Sequence, residues 1–559
     1  MGERVFIGVA WPYANGPLHL GQIAGAYLSA DIFARYHRAK GNEVLMVSGS
    51  DQHGTPITLR AEREGRKPEE IATQYHHQFL ESWQKLGISF DLFTSTGTAN
   101  HARVSQDIFL TLLKKGYIYK ATVSQPFCPH CQRFLPDRYV EGICPYCQSS
   151  GARGDQCDDC GKPLNPAELT SPRCSFCSAT PEFRDSEHFF FRLSAFQDKL
   201  LDWVRQKSHW RQNVLNFTLR YLEGGLKDRA ITRDIDWGVP VPLDGFEDKR
   251  LYVWFEAVIG YLSAAKEWAK HSGDEGKWRY FWQDNAAKSY YFIGKDNIVF
   301  HTIIWPAMLM GYDDNLNLPY DVPANEFLTI EGKKLSTSRR WAVWLPDYLS
   351  RYDPDPLRYL LSISMPETSD TDFSWREFVR RNNDELVATY GNLVHRALTF
   401  TYRSFNGCVP SPRELDSRSQ AILDLAKDTL NTMDKLLSGC HFREAVRSAM
   451  SLAQEANRYL EEKSPWKVIK EDRQAAADAL YVAISVISCL RTALYPFLPF
   501  SSQRLHGYLG FDGSVEGDGW QPRSPSPGQK LLPPEPLFSK LDEGLIDEEI
   551  SRLGQGYDK

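Results

Sequence analysis

Eight of the eleven cysteines in this chain lie within 50 residues, and they form four pairs with the same spacing. Each pair has the pattern C-x2-C, and the gaps between pairs are 12, 9 and 13 residues. A C-x2-C turn holds two thiolates on one side of a tight loop, and two such turns surround one zinc ion tetrahedrally. The spacing therefore predicts two zinc sites, built from Cys128, Cys131, Cys144, Cys147, Cys157, Cys160, Cys174 and Cys177.

These two sites would use all eight thiolates, so no coordination position remains for a catalytic water and the predicted role is structural. A nested arrangement joins the two inner pairs at one ion and the two outer pairs at the other; a sequential arrangement is the alternative. Disulfides are the competing interpretation. The N-terminus, MGERVFIGVAWPYANG, has no secretory signal, so we expect reduced thiols in a cytoplasmic protein.

Composition excludes several classes of protein. Hydrophobic residues make up 42% of the 559 residues and charged residues 24%, which is typical of a folded soluble protein. No run of 18 apolar residues occurs, so no membrane span is expected. The net charge of −6 does not indicate a partner attracted by a global positive charge, although local basic patches remain possible.

Apolar runs alternate with helical stretches on both sides of the cysteine-rich segment. We predict strands at 5–10, 43–48, 251–255 and 289–293, and helices at 21–40, at two stretches up to 86, and at 298–310. This alternation indicates an α/β fold with a doubly wound parallel sheet, split by an insertion. After about residue 380, apolar residues recur at spacings of three and four, which predicts a helical bundle.

Two separated segments suit a nucleotide phosphate. PYANGPLHLGQ at 12–22 follows the first predicted strand and opens a helix, whose N–H groups and dipole attract anions. GKKLSTSRR at 332–340 carries four cations and three hydroxyls within nine residues. Taken separately, an ordinary turn and a solvated loop are the simpler interpretations.

Together with four further motifs, these segments resemble one family. The motifs are GSDQHGT at 49–55, YVWFEA at 252–257, FIGKD at 292–296 and H…WP at 301–306. Their order is that of the methionyl-tRNA synthetases, which are class I aminoacyl-tRNA synthetases. The resemblance extends from about residue 5 to about residue 498, and the four cysteine pairs resemble the family's connective insertion. It implies a Rossmann-like catalytic domain split by a zinc-binding insertion and followed by an all-α anticodon-binding bundle.

The resemblance also implies a division into domains. The halves of the catalytic domain are expected at 1–115 and 231–325, with the connective domain at 116–230 between them. A stem-contact region with the signature loop 334–338 is expected at 326–380, the anticodon-binding domain at 381–540 and a tail at 541–559.

The activity implied by the resemblance is ligation of methionine to tRNA. ATP, accompanied by Mg²⁺, and L-methionine would give methionyl-adenylate and pyrophosphate. The methionyl group would then pass to the 3′ end of initiator and elongator methionine tRNA. We expect a cytoplasmic monomer without a membrane partner, because the chain ends near the anticodon-binding domain without an appended dimerisation module.

The family's nucleotide-binding positions match residues in both phosphate segments and after two later strands. They are Asn15, His19, Gly21, Gln22, Gly294, Asp296, Leu328, Lys334 and Thr337, of which His19, Gln22, Lys334 and Thr337 are the implied catalytic residues. Gln22 replaces the second His of the His-x-Gly-His signature, and Thr337 replaces the second Lys of the Lys-Met-Ser-Lys-Ser loop. Lys334 should then be the main cation, with Lys333, Arg339 or Lys295 as possible helpers.

The implied methionine site combines aromatic and small side chains with one carboxylate, since a thioether is recognised by shape and soft sulfur contacts. Its residues are Ala10, Tyr13, Asp51, Trp254, Ala257, Val258, Tyr261 and His301, and Asp51 matches the carboxylate that binds the substrate's ammonium. Asn392, Arg396 and Trp466 match anticodon-binding positions, where an aromatic ring stacks on an unpaired base. Local basic surfaces for tRNA are expected at 333–340 and on the helix with Arg380, Arg381 and Arg396.

Two other functions compete with this interpretation. A synthetase-derived protein that binds tRNA without charging it would explain Gln22 and Thr337, but it would not need the complete methionine-site set. A class I enzyme for another amino acid, such as cysteine, would need a catalytic zinc site. Eight paired cysteines leave no ligands for one.

Overall fold

The computed structural model describes residues 2–157, 159–160, 162, 164, 166–337 and 339–555. Ser338, the last residue of the expected signature loop, lies outside the described residues. The strands, in chain order, are β1 Arg4–Val9, β2 Glu43–Ser50, β3 Leu92–Ser95, β4 Ile118–Cys128, β5 Arg133–Phe134, β6 Val140–Ile143, β7 Ala152–Arg153, β8 Thr170–Cys174, β9 Glu182–Phe191, β10 Arg229–Ala230, β11 Thr232–Arg233, β12 Arg250–Leu251, β13 Lys288–Gly294, β14 Ala324–Asn325, β15 Leu328–Ile330, β16 Lys333–Lys334 and β17 Thr371–Phe373.

A five-stranded parallel sheet forms the centre of the N-terminal half, in the order β3-β2-β1-β13-β14. Residues of β1 such as Val5, Phe6 and Ile7 are fully buried, because helices cover both faces of a parallel sheet. The chain order reverses between β1 and β13. In sheets of this kind, ligands bind at the carboxyl ends of the strands beside that reversal. The predicted doubly wound sheet and its insertion are confirmed.

One predicted strand is wrong. Only Arg250–Leu251 of the expected strand at 251–255 is extended, and a short helix, Val253–Glu256, follows it. Val253, Phe255 and Glu256 are buried, and a short apolar run has the same pattern in a buried helix as in a buried strand.

The insertion is built on two long antiparallel strands, β4 and β9. Their pairing begins with Ile118 opposite Phe191 and ends with Phe127 opposite Glu182. A second small sheet, β7-β6-β8, lies in the chain between them. Cysteine side chains supply much of the interior of the insertion: Cys128, Cys144, Cys157 and Cys174 are buried with a few apolar neighbours. A module with so small an apolar core depends on its cysteines.

The α-helices connect the central sheet and build the C-terminal bundle. In chain order they are α1 Leu20–Gln22, α2 Leu28–Ala39, α3 Thr55–Glu64, α4 Pro68–Leu86, α5 Ala99–Lys114, α6 Gln197–Arg205, α7 Gln212–Glu223, α8 Val253–Glu256, α9 Gly260–His271, α10 Arg279–Trp282, α11 Trp305–Tyr312, α12 Leu345–Arg351, α13 Pro354–Ile363, α14 Trp375–Arg381, α15 Asn392–Ser404, α16 Ser417–Ser438, α17 Phe442–Lys463, α18 Pro465–Val468, α19 Arg473–Leu494, α20 Pro499–Tyr508 and α21 Gly544–Arg552.

Among the described residues, three segments of π-helix lie within longer helices, at Ile23–Tyr27, Phe300–Ile304 and Asn382–Gly391. The first follows the segment with His19, the second contains His301, and the third precedes Asn392. Irregular turns of this type are frequent at functional sites, because they re-aim side chains within a helix. The sequence pattern did not predict them.

The bundle packs around α16, α17 and α19, as the spacing of apolar residues predicted. Within the described residues, one helix, α19, is long and apolar enough to cross a membrane, but 89% of its apolar window is buried in the protein. That burial is typical of a core helix.

Candidate functional site

The expected nucleotide and methionine residues gather at the carboxyl edge of the central sheet. Ala10 follows β1, Asp51 follows β2 and Gly294 ends β13. The backbone holds this edge together: the Asp51 N–H donates to Pro12 O at 2.8 Å, and the Ala10 N–H donates to Phe292 O at 3.1 Å. Residues distant in sequence therefore line one crevice, where a doubly wound sheet binds its ligand.

The two phosphate segments are in contact. Residues just after the basic segment bond to the first segment, since the Leu20 N–H donates to Val343 O at 3.1 Å and the Leu345 N–H donates to Leu18 O at 2.8 Å. A Cβ added to Gly21 would lie 3.0 Å from Leu335 Cδ1, so the basic segment packs directly on the first turn of the helix. Two motifs separated by more than 300 residues therefore form one surface.

His19 precedes α1 with a ring that is not charged near neutral pH. Burial lowers the pKa of His19 to about 4, and its Nδ1 is buried without a hydrogen-bond partner. Buried polar atoms are almost always satisfied, so this nitrogen indicates a position for a ligand atom. The Gln22 side chain accepts the His19 N–H through Oε1 at 3.0 Å, which caps the start of the helix.

The cations of the basic segment differ in their surroundings. Lys333 and Lys334 form the exposed strand β16, and Lys333 Nζ lies 4.4 Å from the centre of the Trp341 ring. Lys295, expected as a possible helper, is ion-paired with Glu326 at 2.7 Å and with Asp370 at 2.8 Å. Since two carboxylates compensate its charge, Lys295 is a poor candidate for binding pyrophosphate.

The expected adenosine positions line the neighbouring strand ends. Gly294 lies against Asp296: a Cβ added to Gly294 would lie 2.8 Å from Asp296 Oδ1, so the Asp296 carboxylate would have to shift. Burial raises the pKa of Asp296. Leu328 is buried at the start of β15.

Apart from Asp51, the expected methionine residues are small or aromatic side chains without charge. Trp254 Nε1 donates to the Tyr13 hydroxyl, and the Trp254 ring meets Phe300 edge to face at 4.9 Å. Ala257 and Val258 occupy the next helical turn, where Val258 is buried. Burial raises the pKa of Tyr13 and that of Tyr261, so both hydroxyls are neutral.

Hydrogen bonds define the protonation of His301. Its Nδ1 lies 2.9 Å from Asn297 O, a carbonyl that can only accept, so Nδ1 carries a proton. Burial lowers the pKa of His301 to about 4, which leaves Nε2 unprotonated near neutral pH. The Tyr261 hydroxyl, 2.7 Å away, therefore donates to Nε2. The pair presents no charge to a thioether.

Asp51 is the carboxylate of this crevice and is 3% exposed. Its Oδ1 accepts the His53 N–H at 3.2 Å. Burial and, secondarily, the charge of Glu256 raise the pKa of Asp51 well above its usual range. A cationic group bound here would compensate both effects, as expected of an ammonium site.

Sequence reasoning missed a buried group behind Asp51. Glu256 lies between two imidazoles, with Oε1 2.6 Å from His53 Nδ1 and Oε2 2.5 Å from His101 Nε2. Two of these residues lie inside motifs quoted above, at 49–55 and 252–257. The signal that could have indicated them was a charged residue within an otherwise apolar helical run.

The eight paired cysteines form two clusters in the nested arrangement. Cys128, Cys131, Cys174 and Cys177 form one, Cys144, Cys147, Cys157 and Cys160 the other, and the sulfurs of each lie within 4.8 Å of one another. The Cys128–Cys177 and Cys147–Cys157 sulfurs are 3.5 and 3.6 Å apart. Ligands about 2.3 Å from a tetrahedral zinc lie about 3.8 Å apart, so both donor sets fit this ion.

Two of the three expected anticodon residues, Arg396 and Trp466, are in contact in the helical bundle. The Arg396 guanidinium lies 4.4 Å from the centre of the Trp466 ring, and Asn392 is one turn earlier on α15. A cavity of about 430 Å³ opens here, lined by His395, Arg396, Thr399, Phe400, Arg403 and Trp466.

The basic surface expected at Arg380 and Arg381 is largely compensated. Arg380 pairs with Glu377 at 2.8 Å, and Arg381 pairs with Glu385 at 3.0 Å. A count of positive residues does not include these i,i+3 and i,i+4 partners. The partners lie on the same helix face and neutralise the arginines.

Comparison with known proteins gives full-length matches. Residues 5–398 match the family described as tRNA synthetases class I (M), and residues 409–556 match the anticodon binding domain of methionyl tRNA ligase. A methionine–tRNA ligase from Dehalococcoides mccartyi is 65% identical over 99% of this chain and 100% of its own length. The ligase from Thermomicrobium roseum is 53% identical over 99% of both chains.

Solved structures are similar over the same extent. Mycobacterium tuberculosis methionyl-tRNA synthetase in complex with methionyl-adenylate is 26% identical, with a TM-score of 0.80, over 96% of this chain and 100% of that chain. The catalytic half, the zinc-type insertion and the helical bundle are thus all covered. The chain belongs to the class I tRNA synthetases of the methionine type.

Proposed function

We propose that the chain is a methionine–tRNA ligase that forms methionyl-adenylate from methionine and ATP. It then transfers the methionyl group to the 3′ end of initiator and elongator methionine tRNA. One observation carries the proposal: at the carboxyl edge of the sheet, the His19–Gln22 turn contacts the basic segment beside an uncharged aromatic pocket. This arrangement accepts a polyphosphate and a thioether side chain next to each other.

Adenylate formation is an attack of the methionine carboxylate on the α-phosphorus of ATP, so the enzyme mainly positions reactants and stabilises charge. Asp51 binds the ammonium of methionine, and the walls formed by Tyr13, Trp254 and Tyr261 enclose the thioether. Neutral His19 donates a hydrogen bond to a phosphate oxygen. Lys334 stabilises the departing pyrophosphate, while Thr337 and Gln22 contribute uncharged hydrogen bonds.

The remaining expected residues have supporting roles. Asn15, Gly21, Gly294, Asp296 and Leu328 shape the ATP site, and Ala10, Ala257, Val258 and His301 complete the methionine pocket. Mg²⁺ bound with ATP supplies further positive charge to the phosphates. Asn392, Arg396 and Trp466 read the anticodon, with the Trp466 ring stacked on a base.

Zinc is the proposed ion of both cysteine clusters, with a structural role. Four thiolates complete each coordination sphere, and the module between β4 and β9 has little apolar core without them. We further propose that the enzyme acts as a cytoplasmic monomer.

Methionine-dependent ATP–pyrophosphate exchange tests the proposal. Zinc-loaded protein should catalyse exchange with methionine and not with leucine, isoleucine or cysteine at equal concentration. Exchange that is absent with methionine would contradict the proposal. Binding of methionine tRNA without any exchange would favour the tRNA-binding protein that does not charge.

A further inference from the structure

Glu256, His53 and His101 form a buried ionic group beside the methionine pocket. Glu256 is fully buried, His101 is 1% exposed and His53 is 7% exposed. Each oxygen of the carboxylate faces one imidazole nitrogen, at 2.6 and 2.5 Å. Burial acts to raise the pKa of Glu256, but His53 and His101 lower it to about 2, so the carboxylate is ionised.

This group connects two parts of the pocket that are about 200 residues apart. His53 is two residues after Asp51, and its N–H donates to Asp51 Oδ1. Glu256 ends α8, which presents Trp254, and Ala257 follows it directly. One carboxylate therefore fixes the turn that holds Asp51 relative to the wall of the side-chain pocket.

His101 anchors the group from a third element. It lies on α5, and its Nδ1 is 2.9 Å from the Ser263 hydroxyl on α9. The Asp51 turn is held from its other side as well, since the Gln52 N–H donates to the Thr96 hydroxyl at 2.9 Å. These contacts leave the Asp51 carboxylate with little freedom to move.

Stability alone does not require such a group. A buried carboxylate with polar partners gains little over well-packed apolar side chains of similar volume, because desolvation offsets the attraction. The location of this group is more informative. It is placed where it sets the position of the carboxylate that a bound ammonium must meet.

We propose that Glu256 is a positioning residue for the amino group of methionine. Through His53 it holds the Asp51 carboxylate in place, and through His101 it is itself held. This inference rests on the proposed function, because it assumes that Asp51 binds the ammonium of methionine.

The test compares Glu256→Gln with wild type in ATP–pyrophosphate exchange. An amide oxygen can accept from one imidazole only, and the amide NH₂ then faces the other ring, so the Asp51 turn loses its support. The KM for methionine should rise about tenfold, as for loss of one hydrogen bond to a charged group, while the KM for ATP stays within about twofold.

A substrate analogue separates the amino group from the side chain. 4-(Methylthio)butanoate lacks only the ammonium, and its inhibition constant should change less than about twofold in Glu256→Gln. Glu256→Asp keeps the charge and both acceptor oxygens and should recover most of the loss. In the double variant Asp51→Asn/Glu256→Gln, the two effects should not add.

Glu267→Gln is the matched control. The Thr94 hydroxyl lies 3.0 Å from both carboxylate oxygens of Glu267, and substitution of Glu267 should leave both KM values unchanged. If Glu256→Gln does not fold, as measured by thermal melting, His53→Gln, which alters the same contact from its other side, is judged by the same ratio of methionine to analogue. Wild type without methionine exchange would refute the proposed function. If wild type is active, two results would refute this inference. The first is a KM for methionine in Glu256→Gln equal to that of wild type. The second is weaker binding of methionine and of the analogue by the same factor.

Discussion

Burial determines the charge of the catalytic crevice at the scale of single residues. His19 and His301 both have a pKa of about 4 because burial disfavours the imidazolium. Each therefore acts near neutral pH as a polar, uncharged group. A neutral histidine can donate a hydrogen bond to phosphate, and a neutral Tyr261–His301 pair does not repel an apolar side chain.

The lowered pKa of His301 has a consequence for stability. The unfolded chain binds this proton near pH 6.5 and the folded protein only near pH 4, so stability falls as pH decreases between these values. His301 alone should cost about 2 kcal/mol at pH 5 relative to pH 7.5. In His301→Gln, the free energy of unfolding measured with urea should fall less between pH 7.5 and pH 5 than in wild type, by that amount. Equal losses in wild type and variant would show that His301 is not buried in its neutral form.

Residues could be predicted from sequence where their role is local. The C-x2-C pairs and the apolar strand before the His19 turn were predictable, because a fixed spacing and an apolar run are patterns within a few residues of sequence. Lys295 was not, since its compensating carboxylate Asp370 is 75 residues away. For the same reason the contact of Glu256 with His53 across 203 residues was invisible.

At the scale of secondary-structure elements, the first turn of α1 packs against the basic segment at 332–340. A Cβ added to Gly21 would lie 3.0 Å from Leu335 Cδ1, whereas Gly25, in the π-helical turn one helical turn later, has open space where a Cβ would point. The two glycines therefore allow a matched test of this contact.

Gly21→Ala should displace the basic segment, because the new Cβ would lie 3.0 Å from Leu335 and 3.2 Å from the His19 ring. Exchange should show a KM for ATP raised about tenfold, the scale of a small misplacement of a catalytic group. Gly25→Ala is the control and should stay within about twofold of wild type. Two variants with the same kinetics would rule out this contact as an organiser of the ATP site.

Removal of zinc tests whether the module between β4 and β9 depends on the metal for its folding. Metal analysis should give close to two zinc ions per chain, and a chelator should make residues 128–177 sensitive to protease, since metal binding supplies the folding energy of such a module. The central sheet should stay protected, because its core is separate. One zinc per chain, or a module that resists protease after complete removal, would contradict the two-site assignment.

At the scale of the whole molecule, Arg358 contacts both the sheet domain and the bundle, and its side chain is fully buried between them. It pairs with Asp31 at 2.6 Å and donates to Pro496 O and Phe497 O at 2.9 Å each. Asp31 lies on α2 beside the central sheet, whereas Pro496 and Phe497 follow the core helix α19. The catalytic crevice and the cavity at Trp466 therefore belong to one continuously packed body.

Trp466→Ala tests the two ends of this body separately. Loss of one base-stacking contact should lower kcat/KM for tRNA aminoacylation about 10- to 100-fold, while methionine-dependent exchange stays unchanged. Leu425→Ala, an exposed position on α16, is the control and should alter neither reaction. A parallel loss of exchange in Trp466→Ala would contradict an anticodon role.

The order of the central sheet also matters while the chain is being made. β1 lies between β2 and β13, but nearly 280 residues separate Val9 from Lys288. At roughly 5–20 residues per second, a ribosome needs roughly 14–56 s to deliver the second neighbour. During that time one edge of β1 has its N–H and C=O groups open to pairing with other nascent chains. The split sheet that hosts the insertion thus leaves a strand edge unpaired during synthesis, and such an edge is prone to aggregation.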